Sequence, residues 1–248
     1  MTRLARILMR VFFRTVELEG SDRLPKSGPV VVANHTNGLV DGLLLMATLP
    51  RYPRFLGKST LFRIPPLWPF LKLAGVIPVH RAVDGVAGDG NASAFATGRN
   101  ILAGGGMVAV FPERISRDEL TLQPLKTGVA RIALEGVFDD GIADVFVVAA
   151  GLTYDAKARF RSRALVRVGD PVGIAGLAEC YRTDSRAAVR TLTDDLGSRL
   201  SSVSPSYASW AEAELSIRIA EIVVRSPGAQ LPTDIDMARP GGGRRAPW

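Results

Sequence analysis

Cysteine is almost missing from this chain: Cys180 stands alone, with no Cys-x-x-Cys partner. An internal disulfide framework is therefore excluded, and a reducing compartment fits, with Cys180 read as an inert thiol rather than a nucleophile. Histidine is equally scarce, with only His35 and His80, and no cluster of metal-ligand residues appears. No apolar run approaches the roughly 18 to 20 residues that a membrane-spanning helix needs, so any contact with a bilayer is expected to be peripheral. There is no internal repeat, no dinucleotide fingerprint and no Gly-x-Ser-x-Gly nucleophile elbow. The triplet Gly104-Gly105-Gly106 is not a phosphate loop, because it lacks the Walker lysine and leads into a strand. The basic residues are scattered without interleaved aromatics, which argues against a nucleic-acid partner.

What is present is apolar and basic. With 248 residues and 47% hydrophobic content, the chain can bury one substantial α/β core, and nothing in it asks for a second domain. The net charge of +7 favours anionic partners: phospholipid headgroups, phosphorylated metabolites, coenzyme A or nucleic acid. Charge alone does not choose among them.

Residues 1–20 are expected to hold an amphipathic helix. Leu4, Ile7, Leu8, Val11 and Phe12 recur at helical spacing, and Arg3, Arg6, Arg10 and Arg14 form a basic stripe beside them. That pattern suits a helix lying on an anionic membrane; the plainer alternative packs the apolar stripe on the domain and leaves the arginines in water. It is not expected to be a secretory leader, since arginines interrupt any apolar core and no small-residue cleavage site follows. Residues 21–225 form the domain proper, with a core over 24–172 and C-terminal helices over 184–225. Pro- and Gly-rich residues 226–248 read as a flexible tail.

The densest chemistry lies in Val30 to Leu45, V-V-V-A-N-H-T-N-G-L-V-D-G-L-L-L. A β-branched run ends at Asn34, His35 follows, and Asp41 arrives where a Leu-rich helix begins. Strand-to-helix turns at the carboxyl ends of strands are where α/β proteins hold ligands. A carboxylate on one imidazole nitrogen fixes the tautomer and makes the other nitrogen a better base. By itself such a pair is usually just a polar loop.

Further along, Phe55-Leu56-Gly57-Lys58 reads as a strand with a lysine at its end. Pro65, Pro66 and Pro69 forbid a long regular helix over Leu61 to Leu73 and leave Phe62, Leu67, Trp68 and Phe70 for a cap, a membrane-touching surface, an acyl-chain wall or ordinary core. The next strand ends at Val79-His80-Arg81, and Arg81 at a sheet edge has the fork geometry to hold phosphate. Asn91 is expected to cap a helix to Ala103, Met107 to Phe111 is a buried strand, and Pro124 opens a helix over Leu125 to Gly136 carrying Lys126 at its start. Val145 to Ala150 reads as a strand, Ala164 to Val168 as an outer strand, and Asp184 to Leu200 and Ala208 to Val224 as helices.

Four blocks stand in order: the N-H segment, G-V-I-P-V-H-R (Gly75 to Arg81), F-P-E-R-I-S-R (Phe111 to Arg117) and V-V-A-A-G-L-T-Y (Val147 to Tyr154). Together, over roughly 24–172, they resemble the glycerolphosphate and lysophosphatidate acyltransferase family. The resemblance implies a single α/β domain with a central mixed, largely parallel sheet flanked by helices. It implies His35 as general base and Asp41 as the residue orienting it, with Arg81 and Glu113 holding a phosphorylated acceptor. Lys58, Arg114 and Lys126 are candidate helpers in that binding. His80 falls at a variable position and reads as a pocket-edge residue.

Several positions depart from the family's pattern. The His35 to Asp41 spacing is one residue longer than usual, although N-H-x-N-x-x-x-D is similar to one bacterial branch. Arg114 replaces the glycine that usually follows F-P-E, and Ala149 stands where a proline is usual before Gly151-Leu152. The implied partners are an acyl thioester donor (acyl-CoA or acyl carrier protein), a phosphorylated glycerol or lysophospholipid acceptor, and an anionic membrane surface at the cytoplasmic face. No metal and no further cofactor is implied. Two other readings share these residues: a thioester or ester hydrolase using the dyad on water, and a catalytically silent peripheral lipid-binding protein.

Overall fold

The run Pro29–Ala33 is buried at every position, and its side chains alternate between two separate cores. Val31 and Ala33 point into one, Val30 and Val32 into the other. A strand covered on both faces has no reason to alternate apolar with polar residues, which is why the sequence here is an unbroken apolar run.

The computed structural model describes residues 1–80, 90–113, 124–204, 215 and 244–245. In chain order the elements are α1 (Thr2–Phe12), β1 (Thr15–Glu19), β2 (Pro29–Ala33), α2 (Leu39–Thr48), β3 (Pro53–Lys58), α3 (Trp68–Leu73), β4 (Ile77–Val79), α4 (Gly90–Ala103), β5 (Met107–Val110), α5 (Gly128–Phe138), β6 (Phe146–Tyr154), β7 (Arg163–Val168), β8 (Val172–Gly173), α6 (Ala178–Thr183), α7 (Ser185–Val203) and β9 (Arg244–Arg245). Among the described residues the strands form one sheet in the order β4-β3-β5-β2-β6-β7-β1-β9, with β8 also on β6. Strands β4, β3, β5, β2 and β6 run parallel, so their carboxyl ends open on one edge. Strand β7 turns back antiparallel to β6, and β1 lies parallel to β7.

Helices cover both faces. Helix α2 supplies Leu44, Leu45 and Met46 to one core, joined by Ala5 and Met9 of α1. Helix α5 supplies Ile132 and Leu134 to the other, with Leu192, Leu196 and Leu200 of α7 at every fourth position. Asp184 caps α7 by accepting hydrogen bonds from the backbone N–H groups of Arg186 and Ala187 (2.9 and 3.0 Å). These bonds hold its carboxyl below the ordinary carboxylate range. Gly151 of β6 lies where the chain leaves α7: a Cβ there would stand 1.8 Å from the Val203 carbonyl oxygen.

The expected mixed, mostly parallel sheet flanked by helices is what the chain forms. Details differ. Strand β7 is not an outer strand, because β1 returns from the amino-terminal end to lie beside it. Asn91 does not cap α4 but sits inside it, and α5 starts at Gly128 rather than Leu125. The prolines of 61–73 leave a 3-10 turn at Ser59–Arg63 and the short α3, with Ile64, Trp68, Phe70 and Leu73 exposed rather than in the core. Of the expected tail, Arg244–Arg245 pair antiparallel with Glu17 and Leu18. Of the expected helix at 208–224, only Leu215 is described, and it is helical.

Helix α1 carries two apolar faces. Ala5 and Met9 are buried, whereas Leu4, Ile7, Leu8 and Val11 lie on the opposite side, with Ile7 58% and Val11 57% exposed. Of the stripe singled out in the sequence, Leu4, Ile7, Leu8 and Val11 are thus exposed, while Phe12 packs against the core. Arg6 leaves the basic stripe and donates to the Ala47 carbonyl in the last turn of α2 (3.1 Å).

Candidate active site

Asn34 prolongs β2 by one step with its side chain. Its amide accepts the Leu152 N–H (2.6 Å) and donates to the Leu152 carbonyl (3.0 Å), copying a rung of the ladder to β6. The chain can then turn away from the sheet without orphaning the β6 backbone. His35 follows directly, at the carboxyl edge of the central strand.

Three contacts hold His35, two of them on its ring. Its ring stacks on Phe111, just past the end of β5, at 4.4 Å between centroids. Its backbone N–H donates to Glu113 Oε1 (3.1 Å). Its Nδ1 lies 2.9 Å from Asp41 Oδ2. An ionised carboxylate can only accept, so this contact selects the tautomer with the proton on Nδ1, and in the neutral imidazole the lone pair is then on Nε2. The imidazole side chain is 19% exposed and the carboxylate wholly buried.

Burying a carboxylate is costly unless its oxygens are hydrogen-bonded, and here they are. Asp41 Oδ2 also accepts the Asn37 N–H (2.7 Å), and Oδ1 accepts the Tyr154 hydroxyl (2.5 Å). Asp41 lies in the first turn of α2, where the helix dipole favours negative charge. Burial and the neighbouring Asp41 carboxylate push the Tyr154 phenol well above its ordinary value, so it stays protonated and remains a donor. The longer His35 to Asp41 spacing is absorbed at Gly38, whose φ of 55° and ψ of −125° fall in a region open essentially to glycine alone. With Gly38 reversing the chain, Asn37 and Asp41 close on one another.

The tip between β6 and β7 braces the loop. Lys157 Nζ donates to the Thr36 carbonyl (3.0 Å), and Asn37 Nδ2 donates to the Lys157 carbonyl (3.1 Å). The same tip holds the end of α1: the Arg161 N–H donates to the Phe12 carbonyl (2.7 Å) and the Arg14 N–H to the Ser162 carbonyl (2.8 Å).

The predicted residues distribute as follows. His35, Asp41 and Glu113 come together. Lys58 ends β3 opposite Val79 of β4, on the same carboxyl edge, with its side chain exposed. Lys126 is exposed, and its N–H donates to the Pro112 carbonyl (3.2 Å), next to Glu113. Arg81 and Arg114 lie outside the described residues. Sequence reasoning overlooked Asn34, Asn37, Phe111 and Tyr154 as parts of the site, although each stood within a quoted block.

Residues 15–152 match the family model described as Acyltransferase. Glycerol-3-phosphate O-acyltransferase 2 of Saccharomyces cerevisiae is 35% identical over 139 residues, 54% of this chain and 18% of the yeast protein. Glycerol-3-phosphate O-acyltransferase 1 of the same yeast is 31% identical over 134 residues, 53% of this chain and 18% of its own length. The chain therefore spans about a fifth of these curated relatives. In fold it is similar to the 1-acyl-sn-glycerophosphate (LPA) acyltransferase PlsC of Thermotoga maritima, at a TM-score of 0.54 and 19% identity, covering 81% of this chain and 78% of that one. The matched segment runs from β1 into β6 with the His35–Asp41 pair between them, and by that match over more than half of its length the chain belongs to the acyltransferase family.

Proposed function

We propose that this chain transfers a fatty acyl group from a thioester, acyl-CoA or acyl carrier protein, to a hydroxyl of glycerol 3-phosphate or a lysophosphatidate in phospholipid biosynthesis. The observation that carries the reading is the bond from His35 Nδ1 to the buried Asp41 carboxylate at the carboxyl edge of the sheet. His35 Nε2 takes the hydroxyl proton as the oxygen attacks the thioester carbonyl. The C–O bond forms, the C–S bond breaks, and the departing thiolate takes up the proton from His35. No covalent acyl-enzyme and no further cofactor is needed. General-base action of this kind contributes about 100 to 10,000-fold, and holding two substrates together supplies much of the remainder.

Arg81 is assigned to the acceptor phosphate, with Lys58, Lys126 and Arg114 in support. Glu113 beside a phosphate would repel it, so its partners are acceptor hydroxyls or an arginine. Its bond to the His35 N–H supports a place next to the base.

The reaction is proposed to run on an anionic bilayer at the cytoplasmic face. Support comes from the outward row of Leu4, Ile7, Leu8 and Val11, extended by exposed Phe160, with Arg10 and Arg161 around it. No helix among the described residues is long and apolar enough to cross a membrane.

The test is incubation of the purified protein with labelled acyl-CoA, or acyl carrier protein, and a panel of glycerol phosphates. Acceptor-dependent thiol release with a labelled lipid product is expected, and its loss in His35→Ala with the fold retained. Thiol release independent of acceptor would favour hydrolysis, and full transfer by His35→Ala would remove the mechanism.

A further inference from the structure

The Tyr154 side chain does something that the acyl-transfer chemistry does not by itself require. Its hydroxyl meets Asp41 Oδ1 at 2.5 Å, across 113 positions of sequence. That oxygen is the one turned away from His35, which is bonded to Oδ2. The tyrosine ring is itself held, stacked on Phe13 at 5.7 Å between centroids, and Phe13 is buried just beyond α1. A carboxylate gripped only through Oδ2 is free to swing about its own axis. One gripped at both oxygens presents Oδ2 to the imidazole in a single orientation.

From this geometry we infer that Tyr154 is a positioning residue for the dyad: it locks the rotation of the Asp41 carboxylate and draws part of its negative charge away from His35. The inference rests on the proposed role of His35 as base for its kinetic consequence, though not for its electrostatic one. A hydrogen bond to one carboxylate oxygen weakens the field that the other oxygen sets at the imidazole. Without it the imidazolium is better stabilised, and His35 keeps its proton to higher pH. Among the described residues, the charged groups bonded to the backbone of this loop are Glu113, on the His35 N–H, and Lys157, on the Thr36 carbonyl.

Two histidines in the chain make the test direct. In a His80→Gln background one imidazole remains, and its NMR titration reads the charge state of His35 without any assay of activity. Tyr154→Phe, which keeps the ring on Phe13 and removes only the hydroxyl, is expected to raise the His35 midpoint and move the acid limb of kcat/KM upward with it. Loss of one hydrogen bond to a charged group predicts a fall in kcat of about tenfold with the acceptor KM little changed. Should Tyr154→Phe fail to fold, 3,5-difluorotyrosine at position 154 keeps shape and hydroxyl but makes a stronger donor, and the midpoint is expected to fall. A purely structural role would not produce shifts of opposite sign. An unmoved His35 midpoint in a folded protein of either kind overturns the inference. If His35→Ala keeps its transferase activity while Tyr154→Phe, with His35 in place, still moves the His35 midpoint, the base assignment fails and the positioning role stands.

Discussion

Asp41 and the outer face of α1 break the ordinary distribution of side chains in opposite directions. The first is a carboxylate with no exposed surface, the second a row of aliphatic side chains of which Ile7 is 58% exposed. The difference is in how each is satisfied. Asp41 has three donors from the protein itself, the His35 ring, the Asn37 N–H and the Tyr154 hydroxyl. The outer face of α1 has an inward counterpart, Ala5 and Met9, that packs the helix on the domain, and the outer side chains are left exposed. The polarity of Asp41 is completed inside the protein, whereas the apolar surface of α1 is left over after packing.

That contrast can be broken at either end. The largest effect is expected from Asp41→Asn, which leaves the shape but lets the His35 ring take the wrong tautomer: a drop in kcat approaching the 100 to 10,000-fold of a lost general base, read by acyl transfer with the fold checked by circular dichroism. Gly38→Ala places a Cβ on a backbone reserved for glycine, so about 1 to 3 kcal/mol of stability should be lost in chemical denaturation, together with the Asn37 to Asp41 closure. At the other end, replacing Ile7 and Val11 together by Glu should weaken binding to anionic vesicles about tenfold or more in co-sedimentation, through lost apolar burial and reversed charge. The His35 titration should not move. Vesicle binding by the unaltered protein should also weaken as salt is raised.

The smallest effect belongs to a site remote from both regions. Asp184→Ala removes the cap of α7 and should lower Tm slightly, leaving transfer and vesicle binding untouched. Its sign with pH is fixed. The folded carboxyl is held below its unfolded value, so the capping contribution is present above the unfolded value and is lost as pH falls through the folded one. The deficit of the variant in Tm should therefore shrink in acid.

How much of this was legible in the sequence follows from the range of the interactions. Strand β2 and helix α2 were readable because burial on both faces and a Leu-rich run leave local marks. His35 and Asp41 were readable as a pair because one turn joins them. Tyr154 was not, since its bond to Asp41 depends on β6 lying beside β2, a pairing that no local pattern announces. On α1 the bulky outward stripe drew attention from Ala5 and Met9, which are smaller or more pliable yet form the packed side. Strand β7 was misplaced to the sheet's edge for a similar reason, because nothing near Ala164 signals that residues 15–19 will return to cover it.

The turn between β6 and β7 touches the end of α1 on one flank and the His35 loop on the other, through Arg161 and Ser162 on the first and Lys157 on the second. An experimenter who trims the first fourteen residues to improve solubility would therefore also remove the seat of Phe13 under Tyr154 and the strap on that turn. Truncated preparations should show a slackened His35 loop, and a poor turnover measured on them would belong to the shortened protein rather than to the intact one.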